Sequence, residues 1–247
     1  MNDAFYVAGI GLGSQERALS VVANNISNLN TQGFKRAEIS FAEVMASTSS
    51  DMRGVGVRMD QAAAVFDQGD IVETGNSLDI AIDGNGFLEL LGAGGNSYLW
   101  RGGRLHVGQE GYLQAENGMM LRDMVNVPIG AREIRVGADG TVGALLVNED
   151  AVSELGQLSL VSVNSSADLI QKSSGLYEVR SGVRSYGAVA GEDGAGQFVS
   201  GAGERSTVDL NQEMVSMMII QRAYSSNAQV LQAADRLMSI ANSLRQQ

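Results

Sequence analysis

Apolar residues recur every seven positions at both ends of this 247-residue chain. Towards the C terminus, Leu210, Met217, Tyr224, Leu231 and Met238 stand seven apart. Ile220, Ala234 and Ala241 share their face, interrupted by Asn227, and a second row of Ala223, Val230, Leu237 and Leu244 flanks it. Towards the N terminus, Phe5, Leu12, Leu19 and Ile26 repeat by sevens, with Ala8, Gln15, Val22 and Leu29 three residues behind. A seven-residue apolar repeat marks helices that pack along their lengths, so a helix is predicted at each end. The C-terminal segment, 207–247, contains neither Gly nor Pro, and Asp209 with Gln212 three residues on suits its N-cap. At 1.5 Å per residue it would run about 55 Å. Its apolar stripe is wide enough for more than one neighbour. The N-terminal helix carries Gly9, Gly11 and Gly13, each costing about 1 kcal/mol against Ala, so it needs partners.

Between these ends the text changes. Leu78, Ile80 and Ile82 alternate with Asp79, Ala81 and Asp83, and Gly84-Asn85-Gly86 then leads to Phe87–Leu91 as a predicted hairpin. Glu110-Gly111, Asn117-Gly118 and Asp139-Gly140 are further turn signals, each flanked by short apolar runs. Strands are also predicted at 134–136, 141–142 and 158–163. Hairpins without intervening helices imply an antiparallel all-β body. The predicted fold class is therefore α+β: N- and C-terminal helices paired as a coiled-coil core domain, with a central antiparallel all-β domain. Its boundaries are 1–34 and 207–247 for the helical core, 35–69 for an extended connector and 70–205 for the β-rich outer domain.

Composition excludes several chemistries. With no Cys and a single His, the chain has no thiolate centre and no His-rich metal site, and any Ser-His-Asp triad would have to use His106. No G-x-S-x-G elbow accompanies that His. A net charge of -11 opposes binding to nucleic acid. Gly9, Gly11 and Gly13 give G-x-G-x-G rather than the dinucleotide fingerprint, and the heptad accounts for them. Asp83-Gly-Asn-Gly86 fails as a calcium loop in both registers, because Ala81 falls at a position that needs an oxygen ligand. Met214, Met217 and Met218 read as adaptable packing rather than a soft-metal site. No constellation of nucleophile, base and orienting group exists, so no catalytic, cofactor or metal residue is assigned and the chain reads as a non-enzyme. No run of about 18 apolar residues spans a membrane, and Met1–Leu12 lacks the basic start of a secretion signal.

The least ordinary stretch is Asn24–Phe34, where Asn24, Asn25, Asn28 and Asn30 fall within seven residues and Gly33 can end a helix in the left-handed conformation. Asn is a poor helix former. Four so close together point to amides used for specific hydrogen bonds.

Three blocks carry a family resemblance. They are Ala23-Asn-Asn-Ile-Ser-Asn-Leu-Asn-Thr-Gln-Gly-Phe-Lys-Arg36, Gln68-Gly-Asp-Ile-Val-Glu-Thr-Gly-Asn-Ser-Leu-Asp-Ile-Ala-Ile-Asp-Gly-Asn-Gly-Phe87 and Val208-Asp-Leu-Asn-Gln-Glu-Met-Val-Ser-Met-Met-Ile-Ile-Gln-Arg-Ala-Tyr224. Weaker likeness runs through Tyr98–Gly102 and Gly111–Leu113. The chain resembles the flagellar axial proteins, the rod and hook subunits of the bacterial flagellum. It departs from the family pattern at Ser77, usually Pro, at Asp209, usually Asn, and at Ser225, usually Glu.

The resemblance implies a structural subunit of the basal-body rod, self-assembling into a helical drive shaft that carries torque from motor to hook. It implies export through the flagellar type III apparatus without a cleaved signal, and a place in the rod within the periplasm. The partners implied are further copies, neighbouring rod subunits and, as a candidate, the surrounding basal-body rings, with no cofactor. A compact 43–58 stretch favours the proximal-rod type over the distal-rod type. A non-flagellar scaffolding module is the alternative from another class. Subunit-interface residues are expected at Phe5, Leu12, Leu19, Ile26, Asn24, Asn25, Asn28, Thr31, Gly33 and Phe34, and at Met217, Gln221, Arg222, Tyr224, Leu231 and Met238.

Overall fold

The computed structural model describes residues 2–48, 51–92, 94–146, 151–163, 165, 169–172, 175–180, 182–192 and 194–245. Helix α1 (Asn2–Ser27) opens the chain, and two long strands, β1 (Ala37–Thr48) and β2 (Asp51–Ala64), follow. Then come β3 (Ile71–Glu73), β4 (Asp79–Asp83), β5 (Leu88–Leu91), β6 (Ser97–Trp100), β7 (Gly102–Val107), β8 (Leu113–Ala115) and β9 (Met120–Leu121). Next are β10 (Ala131–Val136), β11 (Thr141–Leu146), β12 (Val152–Gln157), β13 (Leu160–Val163), β14 (Leu169–Gln171) and β15 (Leu176–Val179). The strands β16 (Ser185–Ala188), β17 (Gln197–Ser200) and β18 (Ala202–Glu204) precede helix α2 (Leu210–Arg245).

The chain divides into two compact units, one of residues 1–27, 37–63 and 208–247, the other of residues 28–36 and 64–207. In the second unit, nine strands form one sheet in the order β14-β15-β6-β5-β9-β8-β7-β4-β17, while β10-β11-β12, β13-β16 and β18-β3 form smaller sheets. Its core gathers Ile80, Ile82, Leu88, Leu90, Leu105, Leu113, Leu121, Leu158 and Leu160, none more than 1% exposed. A second cluster centres on Phe87, Leu99 and Tyr177, with Phe66 edge-on to both Phe87 and Tyr177. Gly111, Gly118 and Gly140 hold positive φ in the turns β7–β8, β8–β9 and β10–β11, the backbone geometry that their turn dipeptides favour.

The predicted fold class is overturned. Among the described residues the chain has two helices and is otherwise mostly antiparallel β, and no coiled-coil core forms from the paired ends. The α1 side chains buried in the first unit are Ala8, Ser14, Ala18, Val22 and Asn25, a row of mostly small residues on the 3.6-residue period. The expected knobs Leu12, Leu19 and Ile26 are only half-buried, and Phe5 lies in α1 with its side chain outside the described residues. The physical reason is close approach. A Cβ on Gly11 would stand 2.7 Å from the Asn227 side chain, so α1 meets α2 (the two helices share this unit) through small residues rather than through large knobs in holes.

The predicted β4–β5 hairpin does not form either. Strand β4 pairs with β7 and β17, whereas β5 pairs with β6 and β9. The carbonyls of Gly84 and Gly86 accept hydrogen bonds from Arg101, and Phe87 exchanges backbone bonds with Val161 at 2.9 and 2.7 Å. These partners hold the 84–87 segment open as a crossing rather than a tight turn. The alternation along β4 misleads for a related reason: Asp79 and Ala81 are buried along with Ile80 and Ile82, because the strand lies inside the sheet.

Candidate functional site

The asparagine-rich motif is used in each of the two units. In the first, the buried Asn25 amide donates to the Ala37 carbonyl and accepts from the Ala37 N–H, both at 3.0 Å. One side chain thereby stands in for a strand partner at the start of β1. In the second unit, Thr31 closes a turn, its N–H donating to the Asn28 carbonyl at 3.1 Å and its hydroxyl to Asn28 Oδ1 at 3.2 Å. Gly33 follows with φ of 66°, its N–H donating to the Glu204 carbonyl at 2.8 Å. A Cβ there would sit 3.3 Å from the Arg101 side chain, so Gly suits both the backbone and the space. Phe34 is fully buried.

Beyond Phe34 the chain reaches a buried charged node. Lys35, Arg101 and Glu204 are 1%, 5% and 2% exposed. Lys35 Nζ donates to Glu204 Oε1 and, at 2.5 Å, to the Asp67 carbonyl. Arg101 Nε donates to Glu204 Oε2 at 3.3 Å. Its other N–H groups reach the carbonyls of Gly84, Gly86 and Ile82 and the side-chain oxygen of Gln68. Glu204 Oε1 also accepts the Gly69 N–H at 2.8 Å. Tyr177 Oη accepts the Lys35 N–H at 3.2 Å, and Thr207 Oγ1 accepts the Arg36 N–H at 2.9 Å.

A buried charge is tolerated only when it is paired and hydrogen-bonded, and this node meets that condition. Burial pushes the Lys35 ammonium below its ordinary pKa, an effect that the Glu204 hydrogen bond opposes. Burial also raises the Tyr177 hydroxyl. Five segments of the chain, around residues 35, 67–69, 82–86, 101 and 204, are thus held by one carboxylate and two cations.

A different surface lies on α2. Asp209 Oδ1 caps the helix, accepting the N–H of Asn211 at 2.8 Å and of Gln212 at 3.4 Å. Met217, Ile220, Asn227, Leu231, Ala234 and Met238 are half-buried. Val215, Met218, Ile219, Tyr224, Val230, Leu237 and Ile240 are exposed, between 49% and 63%. These are many large apolar side chains for a single helix to leave exposed. Of the residues expected at subunit contacts, Asn24, Gln221, Arg222 and Tyr224 are exposed, while Asn25, Gly33 and Phe34 are buried. Leu12, Leu19, Ile26, Asn28, Thr31, Met217, Leu231 and Met238 lie between. His106 stands exposed on β7, opposite Gln114.

Sequence reasoning missed Glu204 and Tyr177 altogether and met Arg101 only in a weak likeness. Lys35 and Glu204 lie 169 residues apart. No local pattern reveals such a pair, because it exists only once the strands are arranged.

Three family models match the chain: "Flagella basal body rod protein" over residues 5–35, "Flagellar hook protein FlgE/F/G D1 domain" over 81–144, and "Flagellar basal body rod FlgEFG protein C-terminal" over 199–244. The flagellar basal-body rod protein FlgG of Agrobacterium fabrum is 31% identical over 258 residues, covering 97% of this chain and 98% of the relative. The chain belongs to the flagellar basal-body rod proteins. FlgG of Borreliella burgdorferi is 27% identical over the whole of both chains, and the hook protein FlgE of Brucella melitensis is 36% identical over 158 residues, 35% of its own length. The resemblance read from the three sequence blocks is therefore borne out, and this rod protein is a structural subunit of the basal body. The buried node takes one charged residue from each matched stretch: Lys35 from the first, Arg101 from the second and Glu204 from the third.

Proposed function

We propose that this rod subunit joins the shaft through the exposed apolar side of α2, which packs against further copies and neighbouring rod subunits. The carrying observation is the row Val215, Met218, Ile219, Val230, Leu237 and Ile240, apolar and uncovered in the single chain. Contacts between unlike patches of successive subunits can propagate as an open helix, which is how a shaft grows. Exposed Arg222 belongs to the same assembly surface, while exposed Tyr224 and Gln221 stand on another side of α2 and, with Asn24 on α1, offer a second contact. The half-buried Met217, Leu231 and Met238 lie with Tyr224 on the opposite side of the helix.

The shaft transmits torque from motor to hook within the periplasm. The subunit reaches it through the flagellar type III apparatus without a cleaved signal, and the β unit offers a surface to surrounding rings. No described helix is long and apolar enough to cross a membrane. Substituting Val230→Asp and Leu237→Asp in cells that depend on this chain tests the reading. Non-motile cells with incomplete rods in electron micrographs of basal bodies are expected. Motile cells with full-length rods would overturn it.

A further inference from the structure

We infer that the Glu204 carboxylate licenses the docking of residues 28–36: this segment closes onto the β unit only once β18 has placed an anion between Lys35 and Arg101. The node contains two cations and one carboxylate, all nearly inaccessible to water. Arg101 can be accommodated without Glu204, because three backbone carbonyls and the Gln68 side chain take four of its N–H groups. Lys35 cannot. Apart from the Asp67 carbonyl, its hydrogen-bonded partner is Glu204 itself.

Remove the carboxylate and two like charges share a dry site, where Lys35 keeps one carbonyl hydrogen bond and the Asp67 charge against the cost of its desolvation. Arg101 and the Glu204 carboxylate act on the Lys35 ammonium in opposite senses, and the Asp67 charge acts in the same sense as Glu204. Glu204 lies only six residues before α2, so the N-terminal motif waits on almost the last part of the chain. The two ends of the β unit then close together or not at all. Gly33 N–H donating to the Glu204 carbonyl makes the same link through the backbone.

The inference is independent of how the subunit packs in the rod. Its test is native-state hydrogen exchange on the full-length monomer, read at the amides of Gly33, Lys35 and Arg36, whose acceptors exist only in the docked state. The amides of Leu105 and Leu113, bonded within the β core, serve as controls. Glu204→Gln is expected to speed exchange at the three docking amides about tenfold or more, because local opening then becomes cheap. Lys35→Met alone leaves the Arg101–Glu204 pair and has a smaller effect. The decisive variant is Lys35→Met combined with Glu204→Gln, which removes the surplus cation. It is expected to exchange more slowly than Glu204→Gln alone and to fall within about threefold of Lys35→Met. A merely geometric role predicts the reverse, since the double variant has lost more hydrogen bonds. If Glu204→Gln also speeds the control amides, the comparison is made on them instead. Rescue by the second substitution supports the charge gate, and a double variant as fast as or faster than Glu204→Gln overturns it.

Discussion

The β unit and helix α2 handle the same kind of side chain in opposite ways. In the core of the β unit, Leu, Ile and Val close around one another until almost none of their surface meets water, and even the interior cations have partners, although Ile129 and Val152 stay exposed on its surface. On α2, Val230, Leu237 and Ile240 remain half open or more. The first of these clusters is closed within one chain. The second has apolar surface that one chain leaves uncovered. If α2 is the assembly surface proposed above, substitutions in the two regions should separate stability from assembly.

The largest effect should come from the node. Arg101→Met leaves Glu204 with one charged partner and strips hydrogen bonds from Gly84, Gly86 and Ile82, so a loss of about 3–5 kcal/mol is expected in denaturant unfolding of the monomer. Leu113→Ala, in the packed core, should cost about 2–5 kcal/mol by the same measurement. In the helical unit, Asn25→Ala leaves both backbone groups of Ala37 without their buried partner and should cost about 1–3 kcal/mol.

The contrast sharpens on α2. Val230→Asp and Leu237→Asp should each move the stability of the isolated chain by less than about 0.5 kcal/mol, because both side chains stand on the exposed side of α2 and neither is buried, even though rods fail to form. A large loss in the monomer would erase the distinction drawn between the two regions. The smallest effect concerns acid. The Thr141 hydroxyl, aided by its N–H, holds the Asp139 carboxyl below its ordinary 3.8. That contribution is present above the unfolded value and disappears as pH falls through the lowered one. Thr141→Ala should therefore bring acid unfolding to slightly higher pH, as followed by circular dichroism across a pH titration.

Local chemistry was legible in the sequence where it acts locally. The turn glycines, the Asp209 cap and the three family blocks each depend on a few adjacent residues. The heptad reading of α1 failed because a seven-residue spacing also fits a helix whose small face does the packing. Ala8, Ser14 and Ala18 are poor hydrophobic signals, yet they are what permits close approach. The hairpin at Gly84–Gly86 failed because the turn composition was right but Arg101, fifteen or more residues away, claimed the carbonyls. The node was invisible for the same reason on a larger scale. Asn25 lay in a stretch already singled out for specific amide bonds, whereas its partner, a plain backbone at Ala37, could not be named from sequence.

The path of the chain has one more consequence. It leaves the helical unit at residue 64 and re-enters it only at residue 208, so most of the β unit is a single excursion between two points of the helical unit. Such an excursion can lengthen or shrink over evolutionary time while its two anchorage points stay put.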